Sequence, residues 1–130
     1  MAQEVKVKFY ICKHCGNIVG MIYDSGAVPV CCGDPMTELI ANTTDAAKEK
    51  HVPVITVKGN EVHVAVGAVA HPMAPEHYIQ WIYIHTVHGG QRKELNPGDK
   101  PEAVFALAGG DKLIAAYEYC NIHGLWKAEA

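Results

Sequence analysis

Four cysteines near the start of the chain have the spacing of a metal site. Cys12 and Cys15 form a Cys-x-x-Cys pair, and Cys31 and Cys32 follow after 15 intervening residues. Two such pairs complete a tetrahedral four-sulfur shell that suits zinc or iron, and free dithiols or a disulfide are the weaker alternative. Neighbouring side chains on a strand point to opposite faces, so binding through Cys31 and Cys32 requires a bent backbone. Because four thiolates already fill the shell, we interpret His14 as a surface histidine.

A second set of candidate ligands lies in the remaining sequence, beside prolines, charges or the fifth cysteine. Prolines stiffen the segment between two of the histidines, which lowers the entropy lost on fixing two ligands. A thiolate and an imidazole in a Cys-x-x-His turn can converge on one ion. A single histidine on a strand is usually a surface or core residue, but together these positions predict a mixed metal site. The candidates are His51, His71, His77, Cys120 and His123, whereas His63, His85 and His88 lack this context.

The composition excludes several classes of protein. The chain has 130 residues, 49% of them apolar, and a formal net charge of −3 without a lysine- or arginine-rich run. This balance argues against nucleic acid and anionic membrane as partners. No apolar stretch approaches a transmembrane length, and residues 1–8 do not resemble a secretory signal, so we expect a cytoplasmic protein. An odd number of cysteines in that compartment favours metal or redox chemistry over a disulfide framework.

The first 38 residues form the smaller of two expected domains. They contain four of the five cysteines, an alternating segment from Val5 to Phe9 and a short apolar run from Ile18 to Tyr23. A unit of this size buries too little apolar surface to fold unaided, so we expect it to depend on its metal. Residues 39–48 read as a linker. In this linker, Asn42, Thr43 or Thr44 could cap one or two helical turns.

Residues 49–130 read as a β-rich domain. Gly59-Asn60 predicts a two-residue hairpin between neighbouring strands, and Gly89-Gly90 is expected to end a long strand. Several short strands with frequent turn signals are typical of an antiparallel sandwich or barrel. The expected strands are residues 54–57, 62–66, 78–87, 103–108 and 113–119.

The ordered motifs closely resemble those of the desulfoferrodoxins, the two-iron form of superoxide reductase. The resemblance extends over essentially the whole chain, and no expected ligand position is missing. It is carried by the four cysteines, by Glu49–Pro53, by Gly67–Met73 with His77–Ile82, and by Glu118–Lys127.

The resemblance implies a mainly β protein with two iron centres. A desulforedoxin-like domain would hold an Fe(Cys)4 centre, and an immunoglobulin-like sandwich would hold an Fe(His)4(Cys) centre. In the second centre the four histidines would be equatorial and Cys120 axial, with Glu49 and Lys50 beside the open sixth position. The activity implied is one-electron reduction of superoxide to hydrogen peroxide, with electrons from a rubredoxin-type donor. The family is typically homodimeric.

Two other functions fit part of the pattern. In a pure electron-transfer protein, Glu49 would saturate the His/Cys iron and leave it catalytically silent. In a zinc-stabilised binding module, both sites would be structural. Zinc has a filled d shell and gives a colourless protein, so the visible spectrum separates the last alternative from the iron-containing ones.

Overall fold

A computed structural model describes residues 7–130, which form two compact units with a boundary between Ile40 and Ala41. The mainly β fold class is confirmed: the elements are short antiparallel strands and a single four-residue helix among the described residues. That helix is far too short to cross a membrane. The predicted limits of the domains and of the linker at residues 39–48 stay a prediction.

The first unit contains five short strands arranged around the cysteines. A three-stranded sheet has the order β2-β1-β5, and β3 pairs with β4 in a two-stranded hairpin. Among residues 7–40, the core is a cluster of three buried side chains, Tyr10, Cys12 and Met36, so a predicted metal ligand is itself a core residue. The strands are β1 Phe9–Ile11, β2 Ile18–Gly20, β3 Val30–Cys31, β4 Asp34–Pro35 and β5 Thr37–Glu38.

The second unit has two antiparallel sheets around an apolar core. One sheet has the order β10-β7-β6 and the other β12-β11-β8-β9. The core side chains come from alternate positions of both sheets, for example Val64 of β7, Ile82 of β8 and Phe105 of β10. The elements are α1 Lys48–His51, β6 Pro53–Lys58, β7 Glu61–Val66, β8 Ile79–Thr86, β9 Gly89–Glu94, β10 Glu102–Ala106, β11 Leu113–Cys120 and β12 Gly124–Glu129.

Several sequence predictions in the first 50 residues need correction. The strand expected from Val5 begins only at Phe9, and Val5 itself lies outside the described residues. The apolar run from Ile18 is a strand only as far as Gly20. The helical turn begins later than predicted, at Lys48, because the side chain of Asn42 bonds the backbone of Lys127 in β12 instead of capping a helix.

In the second unit the hairpin at Gly59-Asn60 is confirmed, with Lys58 and Glu61 paired at its base. The long strand does end before Gly89-Gly90, at Thr86, but the two glycines also open β9, which the sequence did not predict. The backbone of these glycines pairs with the end of β8, Gly90 with His85 and Gly89 with Thr86, and the Tyr83 ring occupies the space that a side chain at residue 90 would need. Strand β12 was also not predicted.

Candidate metal centres

The four early cysteines lie together. Their sulfur atoms are all within 4.8 Å of one another, as one tetrahedral ion requires. The bend expected at the adjacent pair is present, because Cys32 has a φ of 54°, in the left-handed region that few non-glycine residues adopt. Backbone N–H groups of Cys15 and His14 lower the pKa of Cys12 to about 6, whereas hydrogen bonds with Cys15 and Cys12 raise the pKa of Cys32 to about 12. The cluster therefore favours one thiolate when no cation is bound, and a cation would favour deprotonation of the others.

Asn17 contacts this cluster through three polar groups. Its carbonyl oxygen accepts a hydrogen bond from the Cys12 N–H at 2.8 Å, and its own N–H donates to Cys15 Sγ at 3.5 Å. Its side-chain amide lies 3.9 Å from Cys31 Sγ. Hydrogen bonds to sulfur ligands orient them and tune a metal centre. His14, interpreted from the sequence as a surface residue, is exposed and pairs with Asp34.

The second constellation brings together residues from three separate parts of the sandwich. One ligand atom from each of its five members lies within 4.8 Å of the others. His51 comes from α1, His71 and His77 from the loop before β8, and Cys120 and His123 from the turn between β11 and β12. The Nε2 atom of His51 lies 3.1 Å from His123 Nδ1 and 3.2 Å from His71 Nε2. Neutral imidazoles and one thiolate so placed form a donor set that fits iron.

Hydrogen bonds fix which ring nitrogen His51 and His71 turn toward the cluster. His51 Nδ1 donates to the Ala47 carbonyl oxygen at 2.8 Å, and His71 Nδ1 donates to the Pro72 carbonyl oxygen at 2.7 Å. Both assignments leave Nε2 free as a ligand, an arrangement typical of metal-binding histidines. The Nε2 atom of His77 is buried and has no hydrogen-bond partner among residues 7–130. An unpaired buried nitrogen is costly, and a metal at this point would satisfy it.

Burial favours the neutral form of three imidazoles in this cluster, those of His51, His71 and His77. Burial, with smaller contributions from the neighbouring imidazoles, lowers the pKa of His71 to about 4, and burial also lowers the pKa values of His51 and His77. Burial raises the pKa of the fully buried Cys120 thiol, so a cation is needed to stabilise its thiolate. The Lys50 ammonium group also lowers the pKa values of His51 and His77, because its positive charge lies near the cluster.

Glu49 and Lys50 are both exposed on α1, directly before the ligand His51.

The other three histidines stay outside both clusters, as the sequence suggested. His63 pairs with Glu61, His85 is buried in β8, and the His88 N–H donates to Asp111. In the described part of the chain, metal-capable groups are thus the two predicted sets.

Three supporting residues carried no role in the sequence prediction. Trp126 stacks on His51, with ring centroids 4.9 Å apart, and its Nε1 donates to the His123 carbonyl oxygen at 3.1 Å. Asn121 accepts a hydrogen bond from the Tyr78 N–H at 2.9 Å, which ties the ligand turn to the loop that carries His77. The position of Asn121 between two ligands was the only sequence signal for it.

Glu118 is the third unpredicted residue. Its side chain is fully buried, and neither carboxylate oxygen has a hydrogen-bond partner among residues 7–130. It lies two positions before Cys120 on the core-facing side of β11, opposite Trp126 and Ile82 on the neighbouring strands. Burial raises the pKa of Glu118 to about 9, so this side chain is a neutral acid at pH 7.

Comparison with known proteins places the chain among the desulfoferrodoxins and superoxide reductases. The family model described as Desulfoferrodoxin matches residues 43–129. The desulfoferrodoxin of Syntrophotalea carbinolica is 50% identical over 129 residues, which cover 99% of each chain. The crystal structure of the superoxide reductase from Treponema pallidum matches with a TM-score of 0.83 and 42% identity, covering 96% of this chain and 100% of that one. A superoxide reductase from Giardia intestinalis matches 64% of this chain and 98% of its own, with 34% identity and a TM-score of 0.55.

Proposed function

The chain belongs to the desulfoferrodoxin family of superoxide reductases, and on that premise we propose that its His4Cys centre reduces superoxide with electrons from a rubredoxin-type donor. The reaction consumes one superoxide, one electron and two protons and yields one hydrogen peroxide. The two metal-capable groups of the chain match the two iron centres of the family. The observation that carries the proposal is the convergence of four histidines and one cysteine beside an exposed lysine.

The proposed ligands of the catalytic iron are His51, His71, His77, His123 and Cys120. The bound iron would supply one-electron redox chemistry and, with five protein ligands, one open position for a small anion. Neutral imidazoles add no negative charge, so Cys120 alone contributes one. A ferrous centre with this donor set keeps a net positive charge, which favours an anionic substrate. Superoxide has only two atoms, and an exposed site without a specificity pocket suffices for it.

We assign Lys50 the role of attracting the substrate. Lys50 is exposed on α1, directly before the proposed ligand His51. Its ammonium group contributes to the local positive potential. A cation beside a small-anion site raises the local concentration of the anion and therefore the encounter rate. Salt screens this attraction over about 8 Å at physiological ionic strength.

We assign Glu49 a role in the resting state. Its carboxylate is exposed on the same turn and has no attractive effect on an anion. We infer that, in the iron-loaded protein, Glu49 would be the residue that binds the resting iron, and that its binding would help the product to leave. Removing it should leave the first encounter with superoxide nearly unchanged and should open the resting centre to azide or cyanide.

The remaining parts of the proposal concern electron supply and assembly. Residues 1–38 would form a domain whose ligands Cys12, Cys15, Cys31 and Cys32 hold an iron that relays or stores electrons. Residues 39–48 would link it to the catalytic domain at residues 49–130. The chain would act as a cytoplasmic homodimer. The clustering of the four sulfur atoms supports the ligand assignment.

Pulse radiolysis of the iron-loaded protein tests the function. We expect Lys50→Ile to slow the second-order reaction roughly tenfold and to flatten its salt dependence. Lys58→Ile is the matched control. Strand β6 begins at Pro53, near His51, and ends at Lys58, so Lys58 lies roughly 17 Å along the strand from that end. Formation of one peroxide per superoxide without oxygen release identifies a reductase. A silent centre that only exchanges electrons, or an equal effect of both lysine variants, would refute the proposal.

A further inference from the structure

The helical turn that carries Glu49 and Lys50 cannot hold its own position. Helix α1 has four residues, and its N-cap residue Ala47 makes no side-chain capping bond. A single helical turn is unstable by itself because nucleation fixes several dihedral angles for one hydrogen bond. The side chains of Glu49 and Lys50 are exposed. Contacts of the backbone must therefore contribute strongly to the position of this pair.

Gly67 makes the closest such approach. A Cβ atom at residue 67 would lie 2.7 Å from the Glu49 carbonyl oxygen, 2.9 Å from the Lys50 carbonyl carbon and 3.1 Å from the His51 nitrogen. Among the 12 glycines of the chain, Gly67 alone has backbone atoms as the three nearest contacts of an added Cβ. Its φ lies outside the left-handed region, so φ does not demand glycine here, whereas the close contact does.

Hydrogen bonds connect the same loop to α1 and to a ligand. The Val69 N–H donates to the Glu49 carbonyl oxygen at 2.9 Å, and the Gly67 N–H donates to the Val69 carbonyl oxygen at 3.3 Å. Two residues further on, the His71 N–H donates to the Val66 carbonyl oxygen at 3.0 Å. The segment from Gly67 to His71 thus fixes one ligand and contacts the turn that carries the proposed functional pair.

We propose that Gly67 is a positioning residue for superoxide reduction. The absence of a side chain lets the loop pack directly on the backbone of α1, and this contact sets where Lys50 and Glu49 stand relative to the metal ligands. The inference rests on the proposed roles of Lys50 and Glu49. Any side chain at residue 67 must push the turn or the loop away, because the neighbouring atoms belong to the backbone and cannot rotate aside.

The first test compares variants of the full-length, iron-loaded protein by pulse radiolysis. We expect Gly67→Ala to lose rate by up to the roughly tenfold effect of Lys50→Ile and to flatten the salt dependence, with iron content unchanged. The double variant should lose little more than Lys50→Ile alone, because both changes remove the same effect. Gly109→Ala is the matched control, since no atom lies within 4 Å of its added Cβ. Additive losses, or loss of iron from Gly67→Ala, would overturn the inference.

Amide hydrogen exchange gives a readout that is independent of activity. In the wild type, the Val69 N–H should be protected although its side chain is exposed. In Gly67→Ala it should exchange roughly tenfold faster, whereas Val64 inside β7 should not change. An unprotected Val69 in the wild type would refute the inference even if the variant did not fold. If instead Lys50→Ile had no effect on rate or salt dependence, the proposed function of Lys50 would fail while Val69 still reported on the contact.

Discussion

Replacing the buried acid Glu118 by glutamine should stabilise the protein increasingly as the pH rises. Glu118 is fully buried without a hydrogen-bond partner among residues 7–130, and burial raises its pKa to about 9. In the unfolded chain its pKa is near the ordinary value of 4.5. Between these two values the unfolded state is ionised and the folded state keeps its proton, so folding binds a proton and stability falls with rising pH.

The size of the effect follows from the pKa difference. Each pH unit between the two pKa values changes the free energy of unfolding by about 1.4 kcal/mol, so the loss at pH 7 is about 3 kcal/mol. Glutamine has nearly the same shape and does not ionise. The stability difference between Glu118→Gln and the wild type should therefore grow by about 1.4 kcal/mol per unit from pH 5.5 to pH 7.5.

Urea unfolding of the iron-loaded proteins at pH 5.5, 6.5 and 7.5, followed by tryptophan fluorescence, measures this difference. Iron release on unfolding is common to both proteins and cancels if their iron contents match. Glu94→Gln is the control, because Glu94 is exposed at the end of β9 and its replacement removes one carboxyl group without changing a buried position. A flat difference for Glu118→Gln would show that the folded protein solvates or ionises this carboxyl group, and the argument from burial would be wrong.

Three further changes test the two centres separately. Cys31→Ser should abolish the first centre and the order of its unit but leave the sandwich and peroxide production from a chemical reductant, as measured by visible spectroscopy and a peroxide assay. Cys120→Ser should remove the sulfur-to-iron charge-transfer band and most activity of the second centre, and an unchanged band would exclude Cys120 as a ligand. Asn17→Ala should remove a donor to Cys31 Sγ and lower the midpoint potential of the first centre by roughly 40 mV, a fivefold change in the one-electron equilibrium. Spectroelectrochemistry measures this shift, and a potential equal to that of the wild type would show that the 3.9 Å contact does not reach the sulfur.

Local signals in the sequence predicted much of the sandwich. The Gly59-Asn60 hairpin depends only on turn residues between two β-forming segments, so its strands were predicted within one residue at each end. Strand β9 was missed because its first residues are two glycines, which local signals assign to a turn, whereas their backbone pairs with His85 and Thr86 of β8. The helical turn was predicted too early because the side chain of Asn42 forms hydrogen bonds with the backbone of β12, 85 residues away, instead of capping a helix.

In the candidate site, too, some residues could be predicted from the sequence and others could not. The residues with ligand chemistry were found because cysteine and histidine carry that chemistry wherever they lie, and their spacing and family resemblance grouped them. Trp126, Asn121 and Gly67 support the site through stacking, a backbone hydrogen bond and close packing. Such roles depend on which segments meet in space. No composition or spacing rule applied to one sequence reveals them.

The small core of the first unit affects the life of the protein in a cell short of iron. Among residues 7–40, Cys12 is one of three residues in that core cluster, whereas Cys120 is one of twelve in the core of the sandwich. We therefore expect the sandwich to fold before any ion arrives and the first unit to gain its order together with its ion. Newly made chains would then wait for iron with a folded catalytic unit and a protease-sensitive first unit. Iron supply would thus govern turnover of the chain through the first unit, independently of the occupancy of the catalytic centre.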